Sequence, residues 1–122
     1  MTSAVVSVLL VVAKLAISRI QEAIAKARAD RDNVNKCWDR RGPTAPSQKE
    51  ANSLRAPCLG NKQAFDEAFR KLVDRGTNLI GMLRANPRNE HNQKLAEAFE
   101  DLKKDLDKAL RELKNCLKCD QP

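Results

Sequence analysis

The sequence predicts an all-α fold, an up-down-up antiparallel bundle of three long helices and one short helix. Three observations carry that reading. The chain is rich in Ala, Leu, Lys, Arg and Glu, the strong helix formers. It holds only four glycines, too few for a strand-and-turn architecture. Three long stretches repeat apolar residues at spacings of three and four, the pattern of a helix with one buried face. With 122 residues the chain reads as one domain, 1–122, large enough to bury a core. Aromatic residues make up 3% (Trp38, Phe65, Phe69 and Phe99), so that core is mostly aliphatic.

The first helix is expected over about 3–39. Val6, Leu10, Ala13, Ile17, Ile20, Ile24, Ala27, Val34 and Trp38 keep its period, and no proline or glycine intervenes before Gly42. The polar run Asp30-Arg31-Asp32-Asn33 is the expected place for a bend or break. Gly42-Pro43-Thr44-Ala45-Pro46 ends the helix. Ser47 and Glu50 then spell a capping box for a short helix over 47–56, stopped by Pro57.

The second long helix is expected over 61–85, with Asn61 as N-cap. Phe65, Phe69, Leu72, Gly76, Leu79 and Leu83 form its seam. Gly76 on that seam is expected to admit a neighbouring helix. Asn86-Pro87 terminates the element, because a residue before proline avoids helical backbone. The third helix is expected over 88–118, with Asn86 or Asn89 as cap and Pro87 in the first turn. Its seam is Leu95, Phe99, Leu102, Leu106, Ala109, Leu113 and Cys116. Glu100 with Lys104 and Asp107 with Arg111 have the spacing of ion pairs on its outer face.

Antiparallel packing with short connections brings Cys37, Cys58, Cys116 and Cys119 to one end of the bundle, and His91 to the other. Three chemistries fit four gathered cysteines. Two disulfides would staple that end, the usual meaning of an even count in a small secreted chain. A link from the Cys37/Cys58 pair to the Cys116/Cys119 pair would brace the third helix, whereas Cys37 to Cys58 would only close the linker. A zinc site would need a second knuckle to match Cys116-x-x-Cys119, and none exists. Reduced thiols would pack as small apolar groups. A thioredoxin-like role is disfavoured, because Cys116 and Cys119 end a helix rather than begin one.

The sequence points away from catalysis. His91 stands alone in a polar stretch, and there is no phosphate loop, nucleophile elbow or metalloprotease motif. No cofactor or metal is implied. The net charge of +7 favours anionic partners. Residues 1–41 carry eight Lys/Arg against four acids, while residues 87–122 balance. Nucleic acid is disfavoured, since the aromatics lie on core seams and no basic recognition helix is present. Only non-specific phosphate contact through Arg28, Arg31, Lys36, Arg40 and Arg41 remains.

The unusual feature is residues 4–17, apolar nearly all the way round. Ala4–Ala13 is too short to span a bilayer, which takes ~20 residues. No positive charge precedes it, so it reads as mature structure rather than a cleaved leader. A helix of this kind needs cover on most sides. It is either the central helix of the bundle or a surface for a partner. The expected binding residues are Val5, Val8, Leu9, Val12 and Leu15, with Lys14, Arg19, Lys26 and Arg28 meeting anionic lipid. The expected function is therefore a non-catalytic binding protein that engages an anionic membrane surface or a protein partner through this helix. A secreted, disulfide-stapled helical ligand or toxin-like protein acting on a receptor is the alternative, as is a plain homo-oligomerisation domain. Location follows the cysteines: secreted if they are bridged, otherwise cytoplasmic or membrane-peripheral.

Overall fold

A computed structural model of the protein describes the backbone of residues 3–41 and 56–119, and the side chains of 10–40, 56–89, 91 and 94–119. The chain forms α1 (Ser3–Arg41), a single 3-10 turn (Ala56–Cys58), α2 (Leu59–Ala85) and α3 (Glu90–Leu117), an all-α bundle. The short helix expected over 47–56 lies outside the described residues, except for its last position, Ala56, which belongs to the 3-10 turn.

Helix α1 is one unbroken helix, ~58 Å long at 1.5 Å per residue. The break expected at Asp30–Asn33 does not occur. Lys26 reaches Asp30 one turn on, at 3.9 Å. The Arg31 guanidinium lies 4.5 Å from the centre of the Phe69 ring of α2. Ala27, Val34 and Cys37 are buried on either side of the polar run. Packing before and after the run thus holds four residues in a helix that their own propensities only weakly favour.

Helix α2 begins at Leu59, two residues before the expected start. Asn61 lies inside its first turn, and Cys58 holds the cap position without a side-chain cap bond. The preceding 3-10 turn and the buried Cys58 fix the start instead. Its end agrees with expectation: Asn86 is the C-cap, its N–H donating to the Met82 carbonyl at 2.9 Å. Helix α3 begins at Glu90 rather than 88, because Asn89 is the cap and its Oδ1 accepts from the His91 backbone N–H at 2.9 Å. Pro87 therefore precedes the helix rather than entering its first turn.

The core runs along the axis: Ala13, Ile20, Ile24, Ala27 and Val34 from α1, Phe65, Leu72, Leu79 and Leu83 from α2, and Phe99, Leu106, Leu110, Leu113 and Leu117 from α3. Phe69, Leu95, Leu102, Ala109 and Cys116 are only partly buried against it. The α3 seam is thus wider than the one-column pattern predicted, and Leu110 and Leu117 join it. A helix touching two neighbours needs a broader apolar stripe than one touching a single partner.

Gly76 marks the close approach. A Cβ placed there would lie 2.9 Å from Ile24 Cδ1, 3.1 Å from Ile20 Cγ2 and 3.2 Å from Phe99 Cε2. The ion pairs differ from those expected on α3. Glu100 pairs with Lys103 at 3.2 Å. Asp107 is reached by Lys26 of α1 at 3.7 Å.

Helix α3 ends with Lys118 in the left-handed region, φ 56°. Its N–H donates to Asn115 O at 3.3 Å, and the Cys119 N–H donates to Lys114 O at 3.1 Å. This paired closure turns the chain back at the helix end. Cys119 is thereby delivered to Cys37.

Candidate functional site at the open end of the bundle

All four cysteines are bridged. Cys37 joins Cys119 with Cα atoms 5.9 Å apart, and Cys58 joins Cys116 with Cα atoms 5.7 Å apart. Both bonds run from the Cys37/Cys58 pair to the Cys116/Cys119 pair, which is the bracing arrangement. The zinc and free-thiol readings are corrected: each sulfur is bonded to another sulfur. Oxidised cysteines of this kind are compatible with a secreted or extracellular protein.

The opposite end carries no bridge among the described residues, and the exposed large apolar side chains gather there, except Leu59, which follows Cys58 at the bridged end. Their level follows from the contacts. Ile20 sits beside Phe99, Lys26 pairs with Asp107 and Cys37 bonds Cys119. Counting down both helices from these pairs, Glu90 at the start of α3 comes level with about Leu10. The helical residues 3–9 of α1 consequently extend past the start of α3 by roughly 10 Å.

Of the predicted binding residues, Val5, Val8, Leu9, Val12, Lys14 and Leu15 fall on this end and Arg19 just above it, whereas Lys26 and Arg28 lie farther along α1 toward the bridges. Val5, Val8 and Leu9 lie in α1, with side chains outside the described residues. Val11, Val12 and Leu15 are exposed, at 54%, 40% and 52%. Ala13 beside them is buried, and Ala16 and Ile17 pack partly against the core. The helix is therefore apolar both toward the bundle and away from it. Lys14, Arg19 and Arg28 are exposed. Lys26 lies 3.9 Å from Asp30 and 3.7 Å from Asp107 with its side chain 68% exposed, so these surface pairs hold it only weakly.

Residues from the other helices complete the end, and sequence reasoning did not gather them. Met82 on α2 is 39% exposed. Arg84 closes α2, Arg88 stands in the connection, and Lys94 lies in the first turns of α3, all exposed. The signal was an apolar residue off the α2 seam followed by three cations around a short connection. Its meaning depends on knowing that Val11, Val12 and Leu15 of α1 lie close to that level.

Two grooves open beside Phe99. One lies between α1 and α3, about 320 Å³, with Val12, Leu15, Ala16 and Ala96 on its walls and Arg19, Glu97 and Glu100 at its rim. The other lies between α2 and α3, about 530 Å³, floored by Leu79, Met82, Leu95 and Leu102. His91 is exposed. No group of three or more His, Cys, Asp or Glu side chains that could hold a metal ion occurs among the described residues. No helix among them is long and apolar enough to cross a membrane.

Comparison with known proteins finds no matching family model, no matching curated protein and no matching solved structure.

Proposed function

We propose that this is a non-catalytic docking protein whose open end binds an anionic membrane surface. The observation that carries the reading is the segregation along the bundle axis. One end is closed by two disulfides and shows one exposed large apolar side chain, Leu59, while the other displays Val11, Val12, Leu15 and Met82. Lys14, Arg19, Arg84, Arg88 and Lys94 surround that apolar end. Exposed valine and leucine recover ~1 kcal/mol each when the half of their surface still in water is buried. Each cation held near an anionic leaflet adds ~1 kcal/mol. Neither contribution suffices alone, and their coincidence at one end supports a peripheral, salt-sensitive attachment at headgroup depth.

Co-sedimentation with vesicles tests this. Binding is expected to phosphatidylcholine vesicles containing phosphatidylserine at low ionic strength. Uptake should fall sharply toward 1 M salt, where the screening length is ~3 Å, and little is expected on phosphatidylcholine alone. Absence of binding to the anionic vesicles at low salt would end the proposal.

The two bridges favour a second reading, a secreted, disulfide-stapled ligand that presents the same end to a receptor protein. A chain that ignores vesicles, yet loses receptor-dependent activity when Val11 and Leu15 are made polar, would select it.

A further inference from the structure

The covalent layout of the bundle is asymmetric. Helices α2 and α3 are joined at both ends, by the short 86–89 connection below and by the Cys58–Cys116 bond above. Among the described residues, the cross-link that holds helix α1 to the hairpin, Cys37–Cys119, lies at its upper end. Its lower end has no described covalent restraint.

Apolar burial is even along α1, with Ala13, Ile20 and Ala27 as buried as Val34, but its polar contacts with the hairpin thin out in the same direction. Near the bridges, Arg31 lies on the Phe69 ring and Val34 and Cys37 are buried. Lys26 and Asp107 form one exposed pair at 3.7 Å. Over residues 10–25, no hydrogen bond or ion pair joins a described α1 side chain to α2 or α3. What holds that stretch is Ile17, Ile20 and Ile24, interleaved with the small Ala13, Ala16 and Ala23. The groove beside Leu15 and Ala16 leaves one edge of that contact open to water. Asp30-Arg31-Asp32-Asn33 separates the two regimes, and aspartate and asparagine are weak helix formers.

We propose that α1 below Arg31 is a hinged arm, which parts as a unit from the closed α2–α3 hairpin by yielding at Asp30–Asn33. Parting frees Ala13, Ile17, Ile20 and Ile24 on the arm, and uncovers Gly76 and Phe99 on the hairpin. Resting on the membrane reading above, it supplies the deeper apolar surface that a docked end needs, and keeps it covered in water. The hairpin keeps its fold during the motion because both its ends are closed. Opening of part of a structure at lower cost than global unfolding is a general property of such units.

Native-state hydrogen exchange on the oxidised full chain, without lipid, tests the arm directly. Amides of residues 14–28 are expected to exchange through an opening populated at least ten-fold more than that of residues 72–79 and 106–113. Ile20→Ala should raise the population of the arm opening by a further ten-fold or more and leave the hairpin amides unchanged in their ranking. Equal protection of all three segments, or a rise shared by the hairpin, overturns the proposal. Repeating the measurement on anionic vesicles separates it from membrane docking. Binding with the arm still protected refutes the arm and leaves docking standing. No binding refutes docking, and the lipid-free exchange then decides the arm alone.

Discussion

Two glycines of α2 offer a paired experiment on how closely the helices approach. Gly81 is exposed, and a Cβ there would meet nothing within 4 Å. Gly81→Ala should stabilise by about 1 kcal/mol, the helix-propensity difference between the two residues. Gly76→Ala carries the same intrinsic gain, but its methyl would stand 2.9–3.2 Å from Ile24, Ile20 and Phe99. Ile24 Cδ1 is a side-chain end and could rotate aside, but Ile20 and Phe99 press on the same spot and both are buried. Forcing a methyl into a packed contact costs ~1–3 kcal/mol, so a net loss of about 1 kcal/mol is expected. Unfolding entropy near 2.1 cal/mol/K per residue makes 1 kcal/mol worth ~4 °C in a chain of this size. Thermal melting of the oxidised variants should therefore place Gly81→Ala ~4 °C above the parent and Gly76→Ala ~4 °C below it. If both substitutions raise the midpoint equally, α1 does not approach α2 at Gly76, and the core built around that contact is wrong.

Other expectations follow from the same contacts. Leu113→Ala removes a side chain with no exposed surface and should cost ~2–5 kcal/mol, read as a lower urea midpoint. Lys118→Gly should stabilise by ~1 kcal/mol, since glycine adopts the left-handed cap without a Cβ penalty; an unchanged melt would contradict that penalty. Replacing Cys37 and Cys119 together by serine, with Cys58–Cys116 intact, opens an effective loop of about 24 residues and should cost ~3.5 kcal/mol by chain entropy, measured by denaturant unfolding without reductant. The Val11→Ser, Leu15→Ser double variant should reduce uptake on anionic vesicles at least ten-fold with the melting midpoint within ~2 °C of the parent, because neither side chain is in the core.

Much of this architecture could be read from the chain, because helix periodicity and short connections are local facts with long-range consequences. Of the predicted α2 seam, Phe65, Leu72, Gly76, Leu79 and Leu83 are buried and Phe69 is partly buried. Gathering of the cysteines at one end followed from helix lengths alone. Which sulfur pairs with which did not follow, since all four stand at the same end and two cross-pairings fit that placement. Burial of Leu110 and Leu117 was missed because a single seam presumes a single neighbour, and α3 has two. Asp30–Asn33 misled because propensity is a local quantity, while Arg31 on Phe69 is a tertiary contact. For the open end, the apolar start of α1 was visible in sequence. Met82, Arg84, Arg88 and Lys94 were not, because they join it only once α2 and α3 are folded beside it.

The two bridges are nested: the span from 58 to 116 lies wholly inside that from 37 to 119. Neither can close within one helix, and the outer one needs the turn after Leu117 to have swung Cys119 toward α1. A chain oxidised before its helices meet has an easier bond to make, between Cys116 and Cys119, neighbours across a single turn. Correct pairing thus acts as a chemical receipt that all three helices have already assembled. Early oxidation would strand molecules with a local bond that only thiol exchange could undo.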